Sequence, residues 1–432
     1  MKKLITETVE GIFDTKQKDG KMMKTHWILC ITLVIICCSC RQPDMKTYLK
    51  KVIKQLETIQ SASYYNKSTI WQPGEEKPLF ARMKFYHEYD NPKDSTIGAC
   101  FVSFDSNENM RFNGGYNGLV RLEVCPEDKV IIEDNFTARP LPFRPVNSPF
   151  YNNVRNILQY AVETTDSIQI SLADEDSCFH FSITIYEDSQ VEFFGKAVHM
   201  PKPPVEFYTD PVSHYEIWIR KSDNLPFKSL RKMSHDINMD ECIHPTFNEL
   251  SLEDFNLYSH IPEDYEIRKY RVRSYEEAQE KSQALLNQPA PEWTLTDTED
   301  RLVSLKDIKS KIILLNFTGI GCGACQVAVP YLKELKANYP TEDFELIAIE
   351  SWSNRTSSRK TYAEKKGLNY QLLGATEEVL KNYQTGRSAP WFFILDENRI
   401  VRKIVQGYSL ERTNKELTQA INELLKKTVD VS

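Results

Sequence analysis

The chain is 432 residues long, 41% hydrophobic and 27% charged, with 61 acidic side chains against 54 Lys and Arg and a net charge of −7. That length and apolar content suffice for two ordinary hydrophobic cores. The mildly acidic balance, without a basic stripe, argues against nucleic acid as a partner.

The first element is a short apolar run, Trp27 to Ile36, behind Lys21 and Lys24 and ended by Cys37-Cys-Ser-Cys40. It is too short to span a bilayer comfortably and right for the apolar region of a signal peptide. Small residues followed by a cysteine at this place resemble the lipobox of bacterial lipoproteins. The resemblance implies that residues 1–40 are a signal peptide, cleaved to leave Cys40 lipidated, with Arg41-Gln-Pro-Asp44 as tether. An uncleaved anchor is the alternative. Residues 1–21 are charged and unlike a signal n-region, so they read as a misassigned extension, with Met22 or Met23 the more natural start. The expected location is the bacterial cell envelope, lipid-anchored to a membrane, with the domains facing the periplasm.

Residues 45–272 open with an amphipathic helix, with Leu49, Val52, Ile53, Leu56 and Ile59 on one face. Strands follow at 79–86, 98–104, 119–124 and 129–132, then a helix at Asn152 to Glu163, then strands at 168–172, 178–186 and 214–220. Phe179, Phe181, Ile183 and Ile185 alternate with His180, Ser182 and Thr184, the pattern of a sheet with one apolar face. The stretches Tyr215 to Phe227 and Phe255 to Tyr265 resemble the end of the LolA-like half-barrel, an antiparallel sheet curled round an apolar cavity. The resemblance implies an apolar ligand there; a sheet filled by its own side chains is the plainer alternative. Residues 273–289, charged and Gln-rich, read as a linker with helical character.

In residues 290–432 an apolar strand, Lys311 to Phe317, is followed five residues on by Cys322-Gly-Ala-Cys325 and an apolar helix pattern. Strand, short loop and helix put the first cysteine at a helix N-terminus, where unpaired N–H groups and the dipole favour the thiolate. The second sulfur, one turn on, can close a disulfide. The alternative of a zinc site would need four ligands, and no second Cys or His pair stands near; no metal is expected. Pro330 lies five residues after Cys325, and Ser388-Ala-Pro390 precedes the strand Trp391 to Leu395.

With Ala290-Pro-Glu-Trp-Thr-Leu-Thr-Asp297 and Val303-Ser-Leu-Lys-Asp307, these motifs resemble the TlpA/ResA type of thioredoxin-fold thiol-disulfide oxidoreductase over the last third of the chain. The whole then reads as an α+β multidomain protein, an antiparallel half-barrel followed by an α/β thioredoxin fold. The resemblance implies that Cys322 and Cys325 are catalytic. It also implies that Pro390 is cis beside the dithiol, and that the Ala389 backbone pairs with substrate. No cofactor is implied. The expected partners are exported proteins with disulfides and a membrane thiol electron donor.

Three departures touch mechanism. Gly321 stands where the family usually has tryptophan, so the dithiol is expected to be less shielded. Asn316 replaces the buried carboxylate that thioredoxin carries six residues before the first cysteine, and Ala328 replaces an acid found in some relatives. Glu350, ending the strand Phe344 to Glu350, is left as the candidate general base; a solvated strand-end carboxylate is the alternative. Helices at 357–366, 377–383 and 410–426, a strand at 370–373 and a hairpin of 391–395 with 400–405 complete the domain.

Cys100, Cys125, Cys178 and Cys242 form either two disulfides or free buried thiols. Two functions of different class remain: a reductase of exported disulfides working through Cys322 and Cys325, or a lipid or lipoprotein binding module with an auxiliary redox domain.

Overall fold

The computed structural model describes residues 44–71, 76–106, 109–126, 128–138, 145–200, 212–233, 236–272, 283–353, 355–386 and 388–430. The signal segment, Cys40 and linker residues 273–282 lie outside the described residues.

Helix α1 (Met45–Leu56) buries Leu49, Val52, Ile53 and Leu56 at helical spacing. The strands that follow are β1 (Ser61–Trp71), β2 (Phe80–Asp90), β3 (Ala99–Asp105), β4 (Arg111–Tyr116), β5 (Arg121–Cys125) and β6 (Val130–Asp134). After α2 (Phe150–Glu163) come β7 (Ile168–Asp174), β8 (Cys178–Ile185), β9 (Val191–Phe193), β10 (Ala197–His199), β11 (Ser213–Arg220), β12 (Pro226–Lys232), β13 (Ile237–Phe247) and β14 (Glu266–Lys269). Twelve of them form one sheet in the order β14-β6-β5-β4-β3-β2-β1-β13-β12-β11-β8-β7, antiparallel except for the β14–β6 edge pair; β9 and β10 pair separately. Alternation decides which face is buried: Ser213, Tyr215, Ile217 and Ile219 point inward along β11 while their neighbours are half-exposed.

Helix α2 begins after Pro149, which offers no side-chain cap. Glu88, from β2, supplies the missing acceptors: Oε1 accepts the N–H of Asn152 at 2.7 Å, and Oε2 accepts the N–H of Tyr151 at 3.1 Å and the hydroxyl of Tyr64 at 2.8 Å. A carboxylate at the first turn also meets the positive end of the helix dipole.

The second sheet runs β16 (Leu302–Ser304), β15 (Thr294–Thr296), β19 (Gln371–Gly374), β18 (Phe344–Glu350), β17 (Ile312–Thr318), β20 (Trp391–Leu395) and β21 (Val401–Gln406). Strands β17, β18 and β19 are parallel, β20 runs antiparallel to β17, and β21 runs antiparallel to β20. Every residue of β17 is buried, as a central strand covered on both faces requires. Ile313, Leu315 and Phe317 enter one core with Trp293, Val379 and Phe393. Ile312 and Leu314 enter the other with Leu332 of α3 (Gly323–Ala337) and with Leu417 and Ile421 of α6 (Leu410–Asp430). Helices α4 (Thr356–Lys366) and α5 (Glu377–Asn382) fill the connections either side of β19. This is the thioredoxin-like fold.

Candidate active site

Strand β17 ends at Thr318, a four-residue loop follows, and α3 begins at Gly323 with Cys322 as its N-cap. The Cys322 Sγ accepts the N–H of Cys325 at 3.2 Å, so the first sulfur sits on the unpaired donors of the helix end. A disulfide joins Cys322 to Cys325, with the Cα atoms 5.2 Å apart. Pro330 lies within α3.

The loop before β20 faces this pair. The Ala389–Pro390 peptide is cis, and the Ala389 carbonyl oxygen lies 3.7 Å from Cys322 Sγ. The loop is pinned from behind: Trp391 Nε1 donates to Ser388 Oγ at 2.8 Å, and Ser388 Oγ donates to the Thr385 carbonyl at 2.8 Å. Asn316, buried in β17, donates from Nδ2 to the Trp391 carbonyl at 3.4 Å, so the neutral residue in place of a carboxylate serves to hold β20. Ala328 is a core residue against β17 and β18.

Glu350 is not solvated at the strand end; it is fully buried. Its Oε2 accepts the N–H of Ile320 at 2.8 Å, and its Oε1 accepts the N–H groups of Trp352 at 2.9 Å and Ser353 at 3.0 Å. Burial pushes its carboxyl up to about 7, while the three N–H donors and the Arg359 guanidinium pull the other way. One carboxylate thereby spans the dithiol loop and the loop after β18.

The dithiol is more shielded than its missing tryptophan suggests, with Cys322 only 6% exposed. A tryptophan from elsewhere in the chain packs on the loop that leads to it. A Cβ built on Gly319 would lie 2.6 Å from Cδ2 of Trp352, and one on Gly321 would lie 3.8 Å from its Cζ3. The indole therefore lies against the two glycines that precede Cys322. Sequence reasoning passed over Trp352; the signal available was the Gly-Ile-Gly run, whose first glycine allows the close approach that a side chain would block.

Cys100, Cys125, Cys178 and Cys242 are unpaired. The Asn91 amide donates to Cys100 Sγ at 3.2 Å, Tyr151 Oη lies 3.1 Å from Cys242 Sγ, and Cys178 Sγ donates to Glu175 at 3.2 Å. Burial pushes the Cys100 thiol up to about 11 and the Cys242 thiol to about 12, which leaves them poor nucleophiles.

Between the twelve-stranded sheet and the start of α2 lies a cavity of about 410 Å³. Tyr64, Tyr86 and Phe150 line it, but so do Arg82, Glu192 and Asp240. Glu192 and Asp236 are held there by Arg231. This lining differs from the apolar cavity that the half-barrel resemblance implied, because a bare acyl chain against that wall would strip water from charged groups without replacing it. Among the described residues, Asp166, Glu187 and His199 bring ligand-type atoms within 4.8 Å of one another; Tyr160 and His199 already bond Asp166. No helix among the described residues is long and apolar enough to cross a membrane.

Comparison with known proteins adds kinship to this geometry. Residues 286–404 match the AhpC/TSA family. The thiol-disulfide oxidoreductase ResA of Geobacillus thermodenitrificans is 30% identical over 143 residues, covering 33% of this chain and 81% of the relative. ResA of Geobacillus kaustophilus is 31% identical over 129 residues, covering 30% and 73%. Among solved structures, the thioredoxin domain of a thiol-disulfide oxidoreductase from Bacteroides vulgatus is 22% identical, covering 31% of this chain and 95% of that one, with a TM-score of 0.27.

Proposed function

Through its C-terminal third the chain belongs to the ResA family of thiol-disulfide oxidoreductases, and on that premise we propose that it reduces disulfides of exported proteins through Cys322 and Cys325. The observation that carries the reading is the placement of Cys322 Sγ on the N-terminal donors of α3, 3.7 Å from the Ala389 carbonyl.

Starting from the reduced pair, the Cys322 thiolate attacks one sulfur of the substrate disulfide. The substrate S–S bond breaks, a Cys322–substrate disulfide forms, and the departing sulfur leaves as a thiolate that takes up a proton. The Cys325 thiol gives up its proton, its thiolate attacks Cys322 Sγ, and the second substrate sulfur is released. Two electrons pass to substrate, and the Cys322–Cys325 disulfide is left for re-reduction by a thiol donor on the membrane. The Ala389 backbone, beside Pro390, is suited to pair with an extended substrate segment. Glu350 is the buried acid nearest in sequence order to accept the Cys325 proton; the bonds it makes are to the loops around the dithiol.

The domain boundaries we adopt are 45–272 for a half-barrel-like sheet domain, 273–289 for the linker and 290–432 for the redox domain. The apolar run Trp27 to Ile36 and the cysteine at 40 support lipid anchoring at the bacterial envelope, with both domains facing the periplasm. The second reading, a binding module with an auxiliary redox domain, draws on the 410 Å³ cavity. Its charged wall argues against a purely apolar cargo.

Equilibrating the Cys322–Cys325 couple in glutathione or dithiothreitol buffers tests the direction. A potential near about −270 mV, as in thioredoxin, fits a reductase; one near about −120 mV, as in a strong oxidant, would reverse the proposed direction. Failure of the pair to exchange at all would leave the binding module.

A further inference from the structure

Trp352 stands outside the motifs that define the dithiol, yet its ring is built into the site. Atoms Cδ2, Cε3 and Cε2 would lie 2.6, 2.8 and 2.9 Å from a Cβ at Gly319, so the flat of the indole rests on the backbone there. Neither Gly319 nor Gly321 has the left-handed backbone that calls for glycine. At Gly319 the missing side chain makes room for the ring, while at Gly321 a Cβ would make ordinary contact with it. The backbone that carries the ring is also held in place. The Ser351 N–H donates to the Thr318 carbonyl at 2.8 Å, and the Glu350 carboxylate takes the N–H of Trp352 on one oxygen and that of Ile320 on the other. The loop that carries the indole and the loop that carries Cys322 therefore move as one piece. Trp352 is itself half-buried, one side on the glycines and part of it towards solvent, while Cys322 beside it is 6% exposed.

We propose that Trp352 controls access to Cys322. Seated on Gly319 and Gly321, it forms a wall beside the sulfur past which a substrate disulfide must enter, so the site accepts narrow, extended disulfide segments and rejects bulky ones. The proposal rests on the oxidoreductase reading above. An aromatic wall of this kind excludes water from one side of the reacting sulfurs and leaves the other side, with the Ala389 carbonyl, for the incoming chain.

The test compares the full chain with its Trp352→Ala, Trp352→Phe and Gly319→Ala forms, each reduced and then treated with iodoacetamide or with a bulky polymer-linked maleimide. Modification of the Cys322 peptide is followed by mass spectrometry. The ratio of bulky to small reagent rates rises by about tenfold in Trp352→Ala, the size of a single-group steric effect in a pocket. It returns most of the way towards wild type in Trp352→Phe, and it rises in Gly319→Ala, where the ring is pushed off its seat. Equal change in both rates, or no change in the ratio, overturns the wall. If Trp352→Ala does not fold, judged by its thermal unfolding, Gly319→Ala and Trp352→Phe carry the decision through the same ratio. A wild-type chain whose dithiol neither forms a disulfide nor reduces glutathione disulfide would instead overturn the oxidoreductase reading, whatever the ratio.

Discussion

The Glu350 carboxylate accepts the backbone N–H of Ile320 at 2.8 Å, so a side chain at the end of one strand fixes the loop that ends the next. This bond is made in a place without water, and the same burial that secures it raises the carboxyl to about 7 from its ordinary 4.5. In the unfolded chain the acid ionises at the ordinary value. Between the two, the folded state holds more protons, so folding stability falls as pH rises from 4.5 to 7 and levels off above. The size is about 3 kcal/mol, from 1.36 kcal/mol per unit.

Glu350→Gln removes that dependence. Pulse proteolysis in urea at pH 5 and pH 8 should show the variant gaining about 2.5 kcal/mol relative to wild type over the interval. Glu88, also raised to about 7 by burial, titrates in the same range, but it is present in both proteins and cancels, as do His87 and His260, which burial lowers. A difference that stays constant with pH would show that Glu350 is ionised throughout.

Cys325→Ser should arrest the reaction at the Cys322–substrate disulfide. Incubated with a reducible protein such as insulin, the reduced variant accumulates a covalent adduct visible on a non-reducing gel, because the resolving thiolate is gone. Cys322→Ser forms none. Steady-state insulin reduction falls by at least about a hundredfold in both, because one variant lacks the thiolate that the helix end stabilises and the other cannot resolve the mixed disulfide. Adducts formed equally through Cys325 in the Cys322→Ser protein would invert the assigned roles.

The redox domain was the legible part of the sequence, because its signals are local. Strand β17 is apolar but for Asn316 and Thr318, the dithiol follows at loop distance, and β20 is an uninterrupted apolar run. The sheet domain was half legible. Strands β3, β5, β6, β8 and β11 carry apolar alternation, but β1 and β13, near the middle of the sheet, were missed. They read as polar, with Asn66, Lys67 and Ser68 opposite Cys242, Glu241 and Asp240, and their partners lie about a hundred and seventy residues away. Cross-strand pairs such as Lys67–Glu241 at 2.9 Å reveal the strand only once both sides are known. Glu350 was found as a candidate from topology alone, whereas its burial and the indole of Trp352 depend on a loop whose path no periodicity encodes.

Glu88→Ala should destabilise the sheet domain by about 3 kcal/mol. Removing the carboxylate strands two helix N–H groups and the Tyr64 hydroxyl in a buried place, each worth roughly 1 kcal/mol or more, against which the relief of a buried charge counts. Pro149 leaves α2 no other cap of its own. Glu88→Gln keeps an acceptor and loses less. Circular dichroism with chemical denaturation measures both; equal losses would mean that the volume of the side chain matters and its acceptors do not.

Gly319 and Trp352 should be coupled in stability as well as in access. Adding a methyl group at position 319 places a carbon 2.6 Å from the indole, closer than carbon atoms tolerate, so the ring must shift from a backbone whose N–H Glu350 holds. Gly319→Ala alone should therefore cost about 1–3 kcal/mol, the range for overpacking a filled site. In a Trp352→Ala background the obstacle is gone and the same change should cost less than about 0.5 kcal/mol, leaving a coupling energy opposite in sign to the single effect and close to it in size. The backbone at 319 permits alanine, so no conformational penalty obscures the comparison. Equal costs in the two backgrounds would show that the methyl group meets something other than the ring.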